Sequence, residues 1–135
     1  MAWLHATPKS EKNTKSRMEQ FKLISDEHPY LEMPAIDNYV YLIDWLFELG
    51  PTMQSSMGSS PLTFNEINSW GQGLDLSPWE AGTLRRLSID YLSMLHFASE
   101  PKCPPPFVAR KQSEERTKQV SNGLKDLFMN IAKRG

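Results

Sequence analysis

The side chains of this sequence that could perform chemistry are three histidines, one cysteine and a few neighbouring acids. His5, His28 and His96 lie far apart, and no pair has the i, i+4 spacing that places two imidazoles on one helical face around zinc. The histidine pattern therefore predicts no metal site.

The single cysteine, Cys103, precedes Pro104, Pro105 and Pro106. A reactive thiolate needs a nearby base or a helix N-terminus, and a proline-rich segment indicates neither. We interpret Cys103 as an ordinary surface thiol. Because it has no second cysteine to pair with, nothing in the sequence requires an oxidising compartment.

Acidic pairs occur at 26–27 and 114–115, but adjacent residues point apart and neither pair has apolar neighbours that would perturb a pKa. Gly71 and Gly73 follow a predicted short helix instead of a strand and lack the other members of a nucleotide-binding motif. The sequence therefore predicts a protein that is not an enzyme and needs no cofactor.

The composition predicts one compact domain. The chain has 135 residues, of which 39% are hydrophobic and 23% charged, values near the globular average. Its formal net charge of −1 gives no overall attraction for nucleic acid or anionic lipid. No apolar run approaches the roughly 18 residues of a membrane span, so we expect a cytosolic protein that binds no membrane.

The pattern of apolar residues predicts an all-α fold, a small helical bundle with extensions at both ends. We expect a flexible, polar N-terminal arm over residues 1–15 and a helical core domain over 16–98. A Pro-rich and charged linker is predicted over 99–118, followed by a C-terminal amphipathic helix over 119–133.

Helix boundaries are best marked in the core domain. An apolar helix over 34–49 should end at Gly50 and Pro51, followed by a loop over 50–62. Thr63 caps a short helix that ends before Gly71. Ser77 is the N-cap of a long amphipathic helix that has Pro78 at its first position and extends to about residue 98.

The C-terminal helix carries an apolar stripe spaced at four, three, one and three residues. Its members are Val120, Leu124, Leu127, Phe128 and Ile131. The linker permits this helix to fold back on the core or to dock on a partner, and the sequence favours neither.

Three tryptophans bear on the choice between core and interface. Trp45 and Trp70 lie on strongly apolar helix faces, which favours core positions. Trp79 lies in the first turn of a helix beside a polar cap, which favours a surface or partner contact.

The two helices over 63–71 and 78–98 also imitate a helix-turn-helix in spacing. A recognition helix reads bases with its N-terminal residues, and here those residues include Glu80 and follow Asp75. Because this end is acidic and the chain is nearly neutral, DNA binding stays an alternative and not the preferred interpretation.

Four consecutive features, taken in order, resemble a known family. They are an apolar helix with an Asp44–Trp45 pair, a Gly/Ser loop over 57–62, a short helix ending at Trp70, and a helix start at 77–80. Together with the opening residues 1–6, this order resembles the small tail assembly chaperone of long-tailed bacteriophages, in the part often made as a frameshift extension. The resemblance spans roughly residues 1 to 95.

The resemblance implies a non-enzymatic role in the host cytoplasm. Such chaperones bind the tape-measure protein, help recruit subunits of the major tail-tube protein, and are absent from the mature virion. A DNA-binding regulator and a minor structural tail protein are the alternatives. Self-association stays open.

We hypothesise that one of two surfaces meets these partners. One is the helix face with Trp79, Leu84 and Leu87. The other is the C-terminal stripe, in which Leu124, Leu127, Phe128 and Ile131 are the candidate contacts.

Overall fold

The computed structural model describes residues 1–10, 12, 14–107 and 110–134, and for 110–117 and 134 it describes the backbone alone. In chain order the elements are α1 (Ala2–His5), α2 (Arg17–Ile24), a 3₁₀ turn (Pro29–Leu31), α3 (Val40–Leu49), β1 (Met53–Ser55), β2 (Gly58–Ser60), α4 (Phe64–Trp70), α5 (Pro78–Phe97) and α6 (Arg110–Arg134). The described chain is mostly helical, as predicted, but it is not all-α.

Helix α5 begins where its capping residues predict. The Ser77 hydroxyl accepts a hydrogen bond from the backbone N–H of Glu80, and the Glu80 carboxylate accepts one from the backbone N–H of Ser77. Its 20 residues correspond to about 30 Å of helix. This length allows two separate groups of elements to pack along α5.

The first half of α5 packs in the main core with α3 and α4. The buried members of this core are Leu42, Leu46, Leu62, Ile67, Ala81 and Leu84. Trp45 and Trp70 pack against it edge to face, with ring centroids 5.8 Å apart. Both rings are half-buried, so the prediction of core positions is confirmed for their packing but not for full burial.

The second half of α5 packs against the N-terminal segment. Trp3, Leu4 and Ala6 are buried with Ala98 in a second apolar cluster, and the Trp3 indole N–H donates a hydrogen bond to the Cys103 carbonyl at 3.0 Å. The prediction of a flexible arm over 1–15 is therefore wrong for residues 2–6. The free energy gained by covering a tryptophan and a leucine explains why this short polar-flanked segment is ordered.

A buried arginine fastens the N-terminal segment to the end of α5. Arg17 is 4% exposed, and its guanidinium donates to the backbone carbonyls of Trp3, Ala98 and Glu100. It also lies 4.7 Å from the centre of the Trp3 ring. Carbonyls at the end of α5 lack helical partners and carry partial negative charge, so they satisfy a buried cation.

The loop predicted over 50–62 contains a two-stranded antiparallel hairpin instead. Met53 pairs with Ser60 across it. At its base, the buried Ser88 hydroxyl accepts a hydrogen bond from the Leu62 N–H at 2.8 Å and donates one to the Pro51 carbonyl at 2.7 Å. Strands of three mostly small residues show no apolar alternation, which explains why the sequence pattern did not predict them.

The C-terminal helix begins earlier than predicted. Helix α6 starts at Arg110, so the linker prediction over 99–118 is wrong from residue 110 onward, and the helix extends well before residue 119. Charged residues at this end were interpreted as linker, although a solvated helix also carries such residues. Gly123 lies inside α6, and a Cβ added there would meet no atom within 4 Å.

Arg17→Met should lower the free energy of unfolding by about 2–4 kcal/mol, because the carbonyls of Trp3, Ala98 and Glu100 would lose their donor, and the first two of these hydrogen bonds are buried. Lys22→Met in the same helix removes an exposed cation and should change it by less than about 0.5 kcal/mol. Urea denaturation followed by circular dichroism measures both. Equal effects of the two substitutions would contradict the role assigned to Arg17.

Stability should also fall on acidification through His5. Its Nδ1 lies 2.7 Å from the Tyr91 hydroxyl, and burial, followed by the positive amino terminus, lowers the pKa of His5 from its ordinary value of 6.5. The unfolded chain therefore binds this proton more readily, so the contribution is complete above about pH 6.5 and is lost as the pH falls below it.

Urea titrations between pH 7.5 and pH 5 test this expectation. His5→Gln should flatten the pH dependence, because it removes the imidazole whose pKa burial lowers. An unchanged slope in His5→Gln would argue against the assignment.

Candidate protein-binding surfaces

The predicted apolar stripe lies exposed along α6. Its five members, from Val120 to Ile131, are between 48% and 66% exposed, with Phe128 the most accessible. All described side chains of α6, from 118 to 133, are classed as exposed. A contiguous apolar surface of this kind on a small protein marks an interaction site.

The spacing of α6 separates this stripe from a polar side. Successive residues of a helix are rotated by 100°, which places five apolar side chains on one face of α6. We call this face the α6 stripe; its members are Val120, Leu124, Leu127, Phe128 and Ile131. Met129 is 63% exposed and falls on the opposite side of the helix. The arrangement suits a helix that lays one face into the groove of a partner.

A second exposed surface surrounds Trp79 at the start of α5. Trp79 is 57% exposed, and its ring contacts that of Tyr39 with centroids 5.9 Å apart. Beside it lies an open groove of about 530 Å³, which we call the Trp79 groove. It is lined by Trp79, Gly82, Thr83, Arg86, Leu87 and Asp90.

The structure separates the residues that the sequence grouped on α5. Leu84 is fully buried in the main core, so naming it as a partner contact was wrong. Leu87 packs against that core and also lines the Trp79 groove. The sequence pattern correctly placed all three residues on α5, but the packing of α3 and α4 decides which of them stays accessible.

The start of α5 presents negative charge. The Glu80 carboxylate accepts hydrogen bonds from the Ser77 N–H and from the Tyr41 hydroxyl at 3.1 Å, and the backbone bond is the main cause of its lowered pKa. Glu80 thus stays ionised near neutral pH. A carboxylate at this position disfavours phosphate and base contacts by the first turn of a recognition helix.

His28 and Cys103 both have structural contacts. His28 stacks on Phe21 with ring centroids 4.5 Å apart, and its Nδ1 accepts the Tyr30 N–H. Cys103 is half-buried in the second cluster. Within the described part of the chain, no three metal-ligating side chains form a group, and no helix is long and apolar enough to cross a membrane.

Sequence reasoning missed one apolar cavity. A volume of about 250 Å³ lies between the N-terminal segment and the residues that follow α5, with Trp3, Tyr30 and Phe107 among its lining. It exists only because residues 2–6 fold against α5. No local pattern indicates that contact.

Trp79→Ala should lower the free energy of unfolding by less than about 1 kcal/mol, because most of the ring already meets solvent. Trp45→Ala should lower it by about 2–4 kcal/mol, because this ring packs against the main core. Thermal or urea unfolding measures both variants. Should Trp79→Ala prove as destabilising as Trp45→Ala, Trp79 would be a structural residue and not a binding one.

No protein-family model, curated protein or solved structure matches this chain.

Proposed function

We propose that this protein is a non-enzymatic assembly chaperone of a long-tailed bacteriophage. In this role it binds the helical tape-measure protein in the host cytoplasm, helps recruit tail-tube subunits, and leaves before the particle matures. The observation that carries the proposal is the α6 stripe, an apolar helix face that the chain's own described core leaves uncovered.

The geometry of α6 supports binding to another helical polypeptide. Apolar side chains at Leu124, Leu127 and Ile131 repeat every three or four residues, which is the spacing of anchors that enter a hydrophobic groove. A single helix face forms a small interface. Small interfaces are weak and exchange readily, as release during tube polymerisation would require.

The Trp79 groove offers a second contact of different character. It combines an aromatic ring and half-buried Leu87 with Arg86 and Asp90, so its border can form hydrogen bonds. Two unlike surfaces suit a chaperone that meets two proteins, the tape measure and the tube subunit.

Two alternatives belong to other classes. A helix-turn-helix regulator would bind nonspecific duplex DNA at low salt, which a gel-shift titration measures directly. A minor structural tail protein would be stoichiometric in purified particles, which mass spectrometry of mature virions measures. The acidic start of α5 argues against the first.

Co-expression with candidate tape-measure and tail-tube proteins, followed by pull-down, tests the proposal. The wild-type chain should retain at least one of them. The double variant Leu127→Asp, Phe128→Asp should reduce retention about tenfold or more, because a desolvated carboxylate opposes burial of the stripe.

Met129→Asp provides the matched control, since it introduces the same charge on the opposite side of the same helix. It should retain partners at the wild-type level. Folded wild-type protein that captures neither partner would count against the proposal, as would equal losses in both variants.

A further inference from the structure

An apolar cavity of about 250 Å³ lies where three separate segments of the chain meet, and we call it the N-terminal cavity. Its lining residues fall within 1–4 at the N-terminus, within 30–34 from the 3₁₀ turn onward, and within 105–107 after α5. A cavity of roughly 150 Å³ holds one benzene ring. The N-terminal cavity therefore has room for one ring or for two fused rings.

Three aromatic rings and three prolines form most of the walls of this cavity. They belong to Trp3, Tyr30, Phe107, Pro34, Pro105 and Pro106. Aromatic side chains meet a bound ring in stacked or edge-to-face arrangements, which add to the free energy of apolar burial. Ligand sites in proteins are commonly lined in this way, by apolar and aromatic side chains with few polar groups. The lining thus favours a flat ring as the ligand.

The wall formed by Trp3 is held in place by contacts outside the cavity. Its indole N–H donates to the Cys103 carbonyl at 3.0 Å, its ring stacks on Phe21 with centroids 5.9 Å apart, and the Arg17 guanidinium lies 4.7 Å from its centre. Tyr30 meets the same ring edge to face at 5.8 Å. The prolines add stiffness because their φ angles are restricted. A ligand that binds here has little side-chain ordering to supply, which favours affinity.

The charged groups beside the cavity favour an uncharged ligand. Glu32 is exposed and contributes a carboxylate to the lining, while Met1 contributes an amino group that donates to the Met33 sulfur at 3.8 Å. A cationic ligand would meet repulsion from the amino group, and an anionic ligand would meet repulsion from the carboxylate. Burial of either charge among apolar walls would also cost its hydration.

We propose that the N-terminal cavity is a binding site for an uncharged aromatic ring, either single or fused to a second ring. A small free molecule and an aromatic side chain of another protein both carry such a ring. A ring bound in the cavity contacts Trp3 and Phe107 together, so its binding strengthens the attachment of the N-terminal segment to the chain that follows α5. This inference does not depend on the identity of any phage partner.

Titration of the full-length protein with indole, followed by NMR of its seven methionine methyl groups, tests the proposal. Met33 lines the cavity, whereas Met57 lies between β1 and β2 and Met129 lies on α6. The ring current of bound indole should shift the Met33 methyl signal saturably, with a Kd of about 0.1–1 mM for a ligand of this size. The signals of Met57 and Met129 should stay unchanged.

N-acetyltryptophanamide is the second probe, and it separates the two sources of the ring. It carries the same indole on a capped backbone, as the side chain of a partner protein would. Saturable shifts of Met33 with both probes support a protein side chain as the natural occupant. Saturable shifts with indole alone support a free molecule, and either result supports the proposed site.

Phe107→Ala should weaken indole binding about tenfold, because it removes one aromatic wall of the cavity. Phe97→Ala is the matched control, since it makes the same change at another exposed phenylalanine that does not line the cavity. It should bind indole as the wild type does. The methionine methyl spectrum of each variant without indole checks that the variant is folded.

Three results would overturn the inference. They are the absence of a saturable Met33 shift up to about 10 mM indole, equal weakening of binding by Phe107→Ala and Phe97→Ala, and shifts of Met57 and Met129 as large as that of Met33. All three are measured on the isolated protein, whereas the proposed function is tested by capture of partners. Failure of one is therefore distinguishable from failure of the other.

Discussion

Helix α5 has apolar partners on two successive parts of its length, and the placement of the other described core elements follows from this. Its first half holds α3 and α4 through the main core, and its second half holds α1 through a second cluster. The two clusters share no buried residue. A chain of this size gains enough apolar burial to fold by using one long helix twice.

The junction of the second cluster depends on a charge. Arg17 is buried without a described carboxylate partner, and backbone carbonyls at the end of α5 take that place. Desolvation lowers the pKa of its guanidinium, although an arginine keeps its proton under all ordinary conditions. A permanent positive charge on Arg17 thus joins α1 and α2 to the C-terminal end of α5.

Local signals explain what the sequence predicted well. The start of α5 follows from Ser77, Pro78 and Glu80, which act on their own backbone, and the end of α3 follows from Gly50, whose φ of 95° other residues rarely adopt. These features need no knowledge of distant residues.

Non-local contacts explain what the sequence did not predict. Residues 2–6 are ordered because they pack against the end of α5, and Arg17 is buried because the carbonyls of Ala98 and Glu100 accept its hydrogen bonds. The base of the hairpin is held by hydrogen bonds to the Ser88 hydroxyl. The candidate surfaces divide in the same way. Amphipathic spacing predicted the α6 stripe, whereas the loss of Leu84 from the surface follows from tertiary packing of α3 and α4.

Gly123 gives α6 a property beyond exposure. A glycine inside a helix costs about 1 kcal/mol relative to alanine, and it divides α6 into two stretches near the shortest length at which isolated helices persist in water. Whatever covers the stripe must therefore supply part of the free energy that keeps the helix wound. Binding of a partner and the helicity of α6 are thereby coupled. Because α6 tends to unwind, a bound partner stays for a shorter time than it would on a more stable helix.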